Sequence, residues 1–281
     1  MPAKALKLDE IGYWSEVKLE IVRKYAAAYS RILSIQPFIK AHIYIDAFAG
    51  AGAHISKATG QMVAGSPMNA MHIEPPFSEL HFIDLKKSRA AALRRLVEAE
   101  NNPRVKVHEG DCNKVLLEDV FPRCRYADYR RALCLLDPYE LNVNWKVLQQ
   151  AGEMRSVEVF YNFMIMDANM NVFMRNPSKV TPAQAARMEA AWGDNSWRSA
   201  AYQTSAGLFG DMKEKATNEV IAAAFGKRLR DVAGFAYVPD PIPMRNSRGA
   251  VIYYLYFASP NDKGAKIVSE IFDKYRSEGA S

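Results

Sequence analysis

Short apolar runs alternate with amphipathic stretches five times along the first part of this chain, and four of the five runs end on an aspartate. HIYIDAF (42–48), LHFID (80–84), RVKVHEGD (104–111), RALCLLDP (131–138) and VEVFYNFM (157–164) carry the β-branched and aromatic content of strands. RALCLLDP is almost wholly apolar, as a strand buried on both faces is. The intervening stretches read as helices. One starts at Ser66, taken as an N-cap with Pro67 at the first helical position, and runs to about Ile73. Others span Lys86 to Ala99 and begin at Asn113. Strict strand–helix alternation is the pattern of a parallel sheet with helices on both faces.

The flanks complete the architecture. Val17, Ile21, Val22, Tyr25, Tyr29 and Ile32 recur at helical spacing ahead of Pro37, so residues 15–35 form an amphipathic opening helix. Residues 181–231 read as a mostly helical insertion. GFAYVPDPIP (234–243) and AVIYYLYFAS (250–259) are two further strands joined by the turn RNSRG, and a closing helix fills 262–276. The predicted fold is α/β: a doubly wound, Rossmann-like sheet of the class I methyltransferase layout, mostly parallel, with an antiparallel terminal hairpin and a helical insertion. No repeat or long polar linker divides the chain, so residues 1–281 are expected to form one domain.

Composition narrows the function classes. Hydrophobic residues make up 49% and charged residues 24%, the proportions of an ordinary globular protein. No apolar run reaches bilayer length and the start lacks a signal-peptide core, so no membrane partner and a cytoplasmic location are expected. Cys112, Cys124 and Cys134 are an odd number without CxxC spacing, which argues against a disulfide framework. The five histidines lack HxxxH or HExxH spacing, and no metal site is expected. A net charge of +6 mildly favours anionic partners and leaves nucleic acid open.

In doubly wound sheets ligands sit beyond the carboxyl ends of the strands, where the strand order reverses. Asp46, Asp84, Asp111 and Asp137 all fall at such ends, and a carboxylate there needs a partner. DAFAGAG has the form D-x-F-x-G-x-G, with Asp46, Phe48, Gly50 and Gly52 as a cofactor loop; the glycines permit a sharp turn and close approach of a ligand. A nicotinamide fingerprint would place a third glycine where Ile55 stands and open a helix at once. S-adenosylmethionine (SAM) has no pyrophosphate to seat on a helix N-terminus, and Asp46 suits its ammonium group. Asp84 suits ribose hydroxyls, although it lies farther from Asp46 than the usual spacing of about 20 residues, which the insertion at 53–64 explains. Asp111 could accept from the adenine amino group, with Cys112 beside it as packing.

DPYE (137–140) resembles the D-P-P-Y motif of methyltransferases acting on exocyclic amines of bases. There Asp accepts from the amine and the aromatic ring stacks on the base; here Asp137 and Tyr139 are the candidate catalytic pair. Asn162, Asp167, Asn169, Asn171 and Arg175 follow the fifth strand and are candidate substrate contacts, balanced against a capped surface loop. Arg245 and Arg248 sit in a turn facing the cleft and are candidates for an anionic substrate. FPRCRYADYRR (121–131) mixes Arg and Tyr but leads into the start of a strand, remote from the cofactor loop, and KRLR (227–230) reads as a cationic last helical turn.

As an ordered set, WSEVKLEIVRKYAAAYSRIL, YIDAFAGAG, GSPMNAM, DPYE, NFMIMD and AVIYYLYFAS resemble the three-Cys-motif partner protein family, from Trp14 to about Tyr275. The resemblance implies a methyltransferase-like fold and association with a radical-SAM-like protein that carries the three cysteines. The chain departs at Tyr139, where DPF or DPFG is expected, and this bears on the acceptor pocket. Three functions follow: a SAM-dependent methyltransferase, a SAM- or nucleotide-binding partner subunit without catalysis, and a nucleic-acid-processing enzyme using the fold for hydrolysis. Function lives in the site, so the fold cannot choose among them.

Overall fold

The computed structural model describes residues 9–207 and 210–278. A short strand β1 (Asp9–Ile11) leads into helix α1 (Tyr13–Ser34) and the fully buried strand β2 (Ala41–Asp46). The insertion at 53–64 is a hairpin, β3 (Ala53–Ser56) and β4 (Met62–Ala64), which β1 joins by pairing parallel to β3. Helix α2 (Ser66–Met71) follows, then β5 (Glu79–Asp84), α3 (Lys87–Ala99), β6 (Val105–Glu109), α4 (Cys112–Val115), β7 (Arg130–Leu136), α5 (Trp145–Met154) and β8 (Val157–Phe163). Beyond them lie α6 (Ile165–Asn171), α7 (Pro182–Trp192), α8 (Trp197–Ala201), β9 (Tyr202–Gly207), β10 (Gly210–Lys215) and α9 (Asn218–Asp231). The last elements are β11 (Ile242–Arg245), β12 (Val251–Ala258) and α10 (Asp262–Glu278).

The main sheet has seven strands in the order β6-β5-β2-β7-β8-β12-β11. The pairs among β6, β5, β2, β7 and β8 are parallel, whereas β12 runs antiparallel to both β8 and β11. The chain winds outward from β2 to β5 and β6, then returns to wind the other way through β7 and β8. The order therefore reverses between β2 and β7, and there the carboxyl ends of the strands gape. This is the Rossmann-like class I methyltransferase arrangement expected from the sequence.

Several local readings are corrected. The residue before helix α2, Gly65, holds the N-cap position in place of Ser66; a Cβ there would lie 2.8 Å from the Gly52 carbonyl oxygen. Only the end of GFAYVPDPIP pairs as β11, because Pro239 and Pro241 remove ladder donors and Tyr237 makes just a single bridge to Ser259. The 181–231 segment holds three helices and also the β9–β10 hairpin. On α1, Ile32 is 37% exposed while Lys18 takes a place in the buried stripe.

Phe225 of α9 fastens the 181–231 segment to the sheet. Its ring stacks on Phe163 at 4.5 Å and meets Trp192 and Tyr256 edge-on, each at 5.4 Å. Under α1, Tyr25 donates a hydrogen bond to the buried Glu158 of β8, and the Ser259 hydroxyl donates to its other oxygen at 2.9 Å. Burial raises the Glu158 carboxyl to about 7 against the pull of these two donors. Among the described residues no helix is long and apolar enough to cross a membrane.

A folded-state pKa above the unfolded value stabilises the fold at low pH, and that stability is lost as pH rises through about 7. Glu158→Gln cannot ionise, so its melting temperature relative to the unsubstituted protein is expected to improve between pH 5 and pH 8. Parallel melting curves for the two proteins across that range would contradict the assignment.

Candidate functional site

A cleft of about 1560 Å³ opens at the carboxyl ends of the parallel strands. Ala47 and Phe48 enter it after β2, Asp84 and Leu85 at the end of β5, and Gly110, Asp111 and Cys112 after β6. Tyr139 follows β7, and Asn246 and Ser247 follow β11. β1, the first turn of α1, Arg89 of α3, Arg187 of α7 and Tyr253 of β12 are among the remaining walls. Cavities for a single small ligand run to roughly 300–1,000 Å³, so this one has room for more than one molecule.

The loop after β2 is fixed by its own backbone. The Ala47 and Ala49 amides donate to Leu135 and Ile83 on the flanking strands, at 3.0 and 2.9 Å. The Gly50 amide donates to Asp84 Oδ2 at 3.0 Å, and the Lys86 amide to Asp84 Oδ1 at 2.7 Å. Each carboxylate oxygen keeps a further acceptor position, so Asp84 can still receive hydroxyl donors from the cleft. Leu85 beside it is 73% exposed, an apolar face suited to a flat ring. Asp111 caps α4 through the Asn113 amide at 2.7 Å. Burial pushes the Cys112 thiol up to about 12, leaving it an uncharged packing group.

The two loop glycines differ in what constrains them. Gly50 has φ +65° and nothing within 4 Å of where a Cβ would stand, so its requirement is conformational. Gly52 has φ +90°, and a Cβ there would lie 2.6 Å from the Leu96 side chain of α3. The space that Gly52 leaves clear is taken up by the Leu96 side chain of α3, and its positive φ meets the sharp turn expected there.

Asp46 is wholly buried behind the cleft wall. Its Oδ1 accepts from the Phe48 amide at 3.1 Å, while Oδ2 has no partner in hydrogen-bonding geometry, although the Ser66 hydroxyl lies near the carboxylate. Burial raises its carboxyl to about 7, against the pull of Ser66 and the Phe48 amide. Asp137 is taken on both sides: Lys18 of α1 pairs with Oδ2, and the Asn162 amide donates to Oδ1. Lys18 Nζ also lies 5.9 Å over the Tyr253 ring.

Of the residues expected to form the site, Phe48, Asp84, Asp111, Cys112, Tyr139 and Arg245 line the cleft. Asp46, Asp137 and Asn162 stand behind its wall, and Gly50 and Gly52 shape the loop. Asp167 does other work, bonding the Leu141 amide at 3.0 Å, Asn171 at 2.6 Å and Arg187, so it ties the DPYE loop to α6 and α7. Asn169 bonds Asn218 and Lys215 at 2.9 and 2.8 Å, and neither it, exposed Arg175 nor Arg248 lines the cleft. FPRCRYADYRR lies at the opposite end of the sheet, where Arg123 and Arg130 pair with Glu79. Among the described residues no group of three or more His, Cys, Asp or Glu is placed to hold a metal ion.

The sequence reading did not pick out Lys18, Arg89 or Arg187 as site residues. Arg89 pairs with Asp9 at 2.5 Å and holds its guanidinium 6.0 Å over the Tyr139 ring; Arg187 lies 3.3 Å from Glu140. The one legible signal was Lys18 itself, a lysine inside the apolar stripe of α1.

No family model matches the chain, and no curated protein matches it either. The resemblance to three-Cys-motif partner proteins therefore rests on the sequence blocks alone. Among solved structures, protein LPL1258 from Legionella pneumophila, assigned to family DUF519, aligns with a TM-score of 0.54 at 10% identity over 94% of this chain and 91% of that one. A S-adenosylmethionine-dependent methyltransferase from Clostridium acetobutylicum aligns at 0.42 and 9% identity, covering 86% and 91% of the two chains. TYW2 of M. jannaschii in complex with AdoMet aligns at 0.36 and 11%, covering 87% and 76%. At these identities the likeness is one of fold alone.

Removing Asp137 leaves the Lys18 ammonium buried without its counter-ion. Asp137→Ala is expected to cost roughly 3 kcal/mol, the low end for a broken buried pair, because the Asp137 side chain keeps 26% exposure. Adding Lys18→Met should restore most of that loss in urea denaturation. An Asp137→Ala protein as stable as the parent would show that the pair contributes nothing to folding.

Proposed function

We propose that the cleft binds SAM and that the chain is a SAM-dependent methyltransferase acting on an anionic substrate. The observation that carries this reading is the row of acidic groups at the ends of three neighbouring strands. Asp46 and Asp84 end β2 and β5 and Asp111 follows β6, with exposed Leu85 among them. An elongated ligand with a cationic end, a pair of hydroxyls and a flat base matches that row. Asp46, with an orphaned buried oxygen, would take the ammonium group; Asp84 the ribose; Leu85, Asp111 and Cys112 the adenine.

When bound, SAM supplies a methyl group made electrophilic by its sulfonium. The chain's contribution is to hold an acceptor in line and keep water away, so few chemical groups are required. Tyr139, Arg89, Arg187 and Arg245 line the remaining cleft; Arg89 is paired with Asp9 and Arg187 with Asp167, and Arg245 suits an acceptor that carries negative charge, nucleic acid included. The D-P-Y logic is altered, because Asp137 is already engaged by Lys18 and Asn162. Tyr139 remains the acceptor-facing member of the pair.

That same engagement favours a second reading, a SAM-binding subunit without catalysis of its own. The resemblance to three-Cys-motif partner proteins supplies the corresponding partner, a radical-SAM-like protein, in the cytoplasm.

Ligand-dependent thermal stability tests the common core of both readings. S-adenosylhomocysteine at about 100 times its dissociation constant should add near 2.7 kcal/mol. Asp84→Ala should weaken binding about tenfold or more, the scale of a lost charge-assisted hydrogen-bond pair. No shift in melting temperature with either SAM or S-adenosylhomocysteine at millimolar concentration would overturn the assignment.

A further inference from the structure

The region around Lys18 holds an unusual concentration of unmet polar atoms. Asp46 Oδ2, His54 Nδ1, Asn162 Oδ1 and the Tyr253 hydroxyl are all buried and have no hydrogen-bond partner. Asp137 and Lys18 act electrostatically on both Asp46 and His54, Asn162 bonds Asp137, and Tyr253 lies under the Lys18 ammonium. Burial and the neighbouring Lys18 charge hold His54 below the ordinary imidazole range. An unsatisfied buried polar atom costs about 1–3 kcal/mol, and native folds carry only a few per hundred residues. Four around one ion pair mark a place built for a polar ligand group. Tyr253 itself, and Ala47 next to Asp46, belong to the cleft wall, so the cluster adjoins the open cleft.

The charges specify what that group is. Asp46 offers an acceptor without a donor. Lys18 offers three N–H donors, of which one is engaged by Asp137. Tyr253 offers a hydroxyl donor. A ligand moiety carrying a cationic and an anionic group on one carbon satisfies all three, and the α-amino-acid zwitterion is that moiety. A lone ammonium would leave Lys18 and Tyr253 unanswered, and a lone carboxylate would be repelled by Asp46.

We infer that Lys18 binds the α-carboxylate of the ligand's amino-acid moiety while Asp46 takes its ammonium group, so that α1 as well as the glycine loop recognises the cofactor. The inference rests on the reading of the cleft as a SAM site. Asp137 then shares Lys18 with the ligand as a competing carboxylate, which is why it is not free to hold a methyl acceptor.

Two ligands separate this from the reading beneath it: S-adenosylhomocysteine, which carries the amino-acid moiety, and 5′-methylthioadenosine, which lacks it. Both are titrated calorimetrically into the full chain and into Lys18→Met, Lys18→Arg and Asp137→Asn, with circular dichroism confirming the fold of each. The unsubstituted protein should bind S-adenosylhomocysteine about tenfold or more tightly than methylthioadenosine. Lys18→Met should erase that preference while leaving methylthioadenosine affinity within about threefold, as expected for one lost charge-assisted contact. Lys18→Arg should keep most of the preference, and Asp137→Asn should preserve or raise it by removing the competing carboxylate; these two carry the test if Lys18→Met does not fold. An unchanged preference in Lys18→Met, or equal weakening of both ligands, overturns the inference while the SAM reading stands. A preference lost equally in Asp137→Asn overturns it too, because the pair is then only structural. Binding of neither ligand by the unsubstituted protein overturns the SAM reading and this inference with it.

Discussion

In a doubly wound sheet the crossovers leave the two central strands in opposite directions, and no helix can cover the carboxyl ends where they part. Here those strands are β2, which ends on Asp46, and β7, which Asp137 directly follows. The Asp137 charge acts on the fully buried Asp46 and adds to the cost of a carboxylate there. Lys18 of α1 resolves this by pairing with Asp137, and the site is arranged around that contact. α1 precedes β2 in the chain and packs beside β2, α2 and α10, so the fold delivers the lysine to the switch point from outside the sheet.

The consequences run outward from that pair. Asn162 of β8 holds the second oxygen of Asp137, and Tyr253 of β12 forms an aromatic floor under Lys18. The antiparallel strand β12, inserted between β8 and β11, is what brings Tyr253 to the same end of the sheet as the parallel strand termini. At the other side of the gap, Asp84 organises the loop after β2 through the Gly50 amide, which links this acid to the backbone that shields Asp46. Cationic side chains on α3, α7 and β11 then line the outer cleft.

Much of this was legible in the sequence, because period and placement carry it. Continuous apolar runs such as RALCLLDP give buried parallel strands, and the four aspartates mark the end of the sheet at which the cleft opens. What escaped has identifiable causes. β1, β3 and β4 are three or four residues long, too short for alternation to register, and β1 pairs with a segment far along the chain. The β9–β10 hairpin lies in a polar stretch whose neighbours are helical. Proline at 239 and 241 halted a strand that composition alone favoured. The polar residues after β8 were grouped as substrate contacts because they are close in sequence, yet α6 turns Asp167 and Asn169 toward α7 and α9 instead. Lys18 was overlooked because an amphipathic stripe is read for its apolar members, and a buried lysine is informative only once its partner is known.

A crystal structure of the chain with S-adenosylhomocysteine tests the central claim most directly. The account expects the adenosine against Leu85, Asp84 and Asp111, with the amino-acid end between Asp46 and Lys18. A ligand seated elsewhere, or one whose carboxylate points away from α1 while Lys18 stays paired with Asp137 alone, would contradict it.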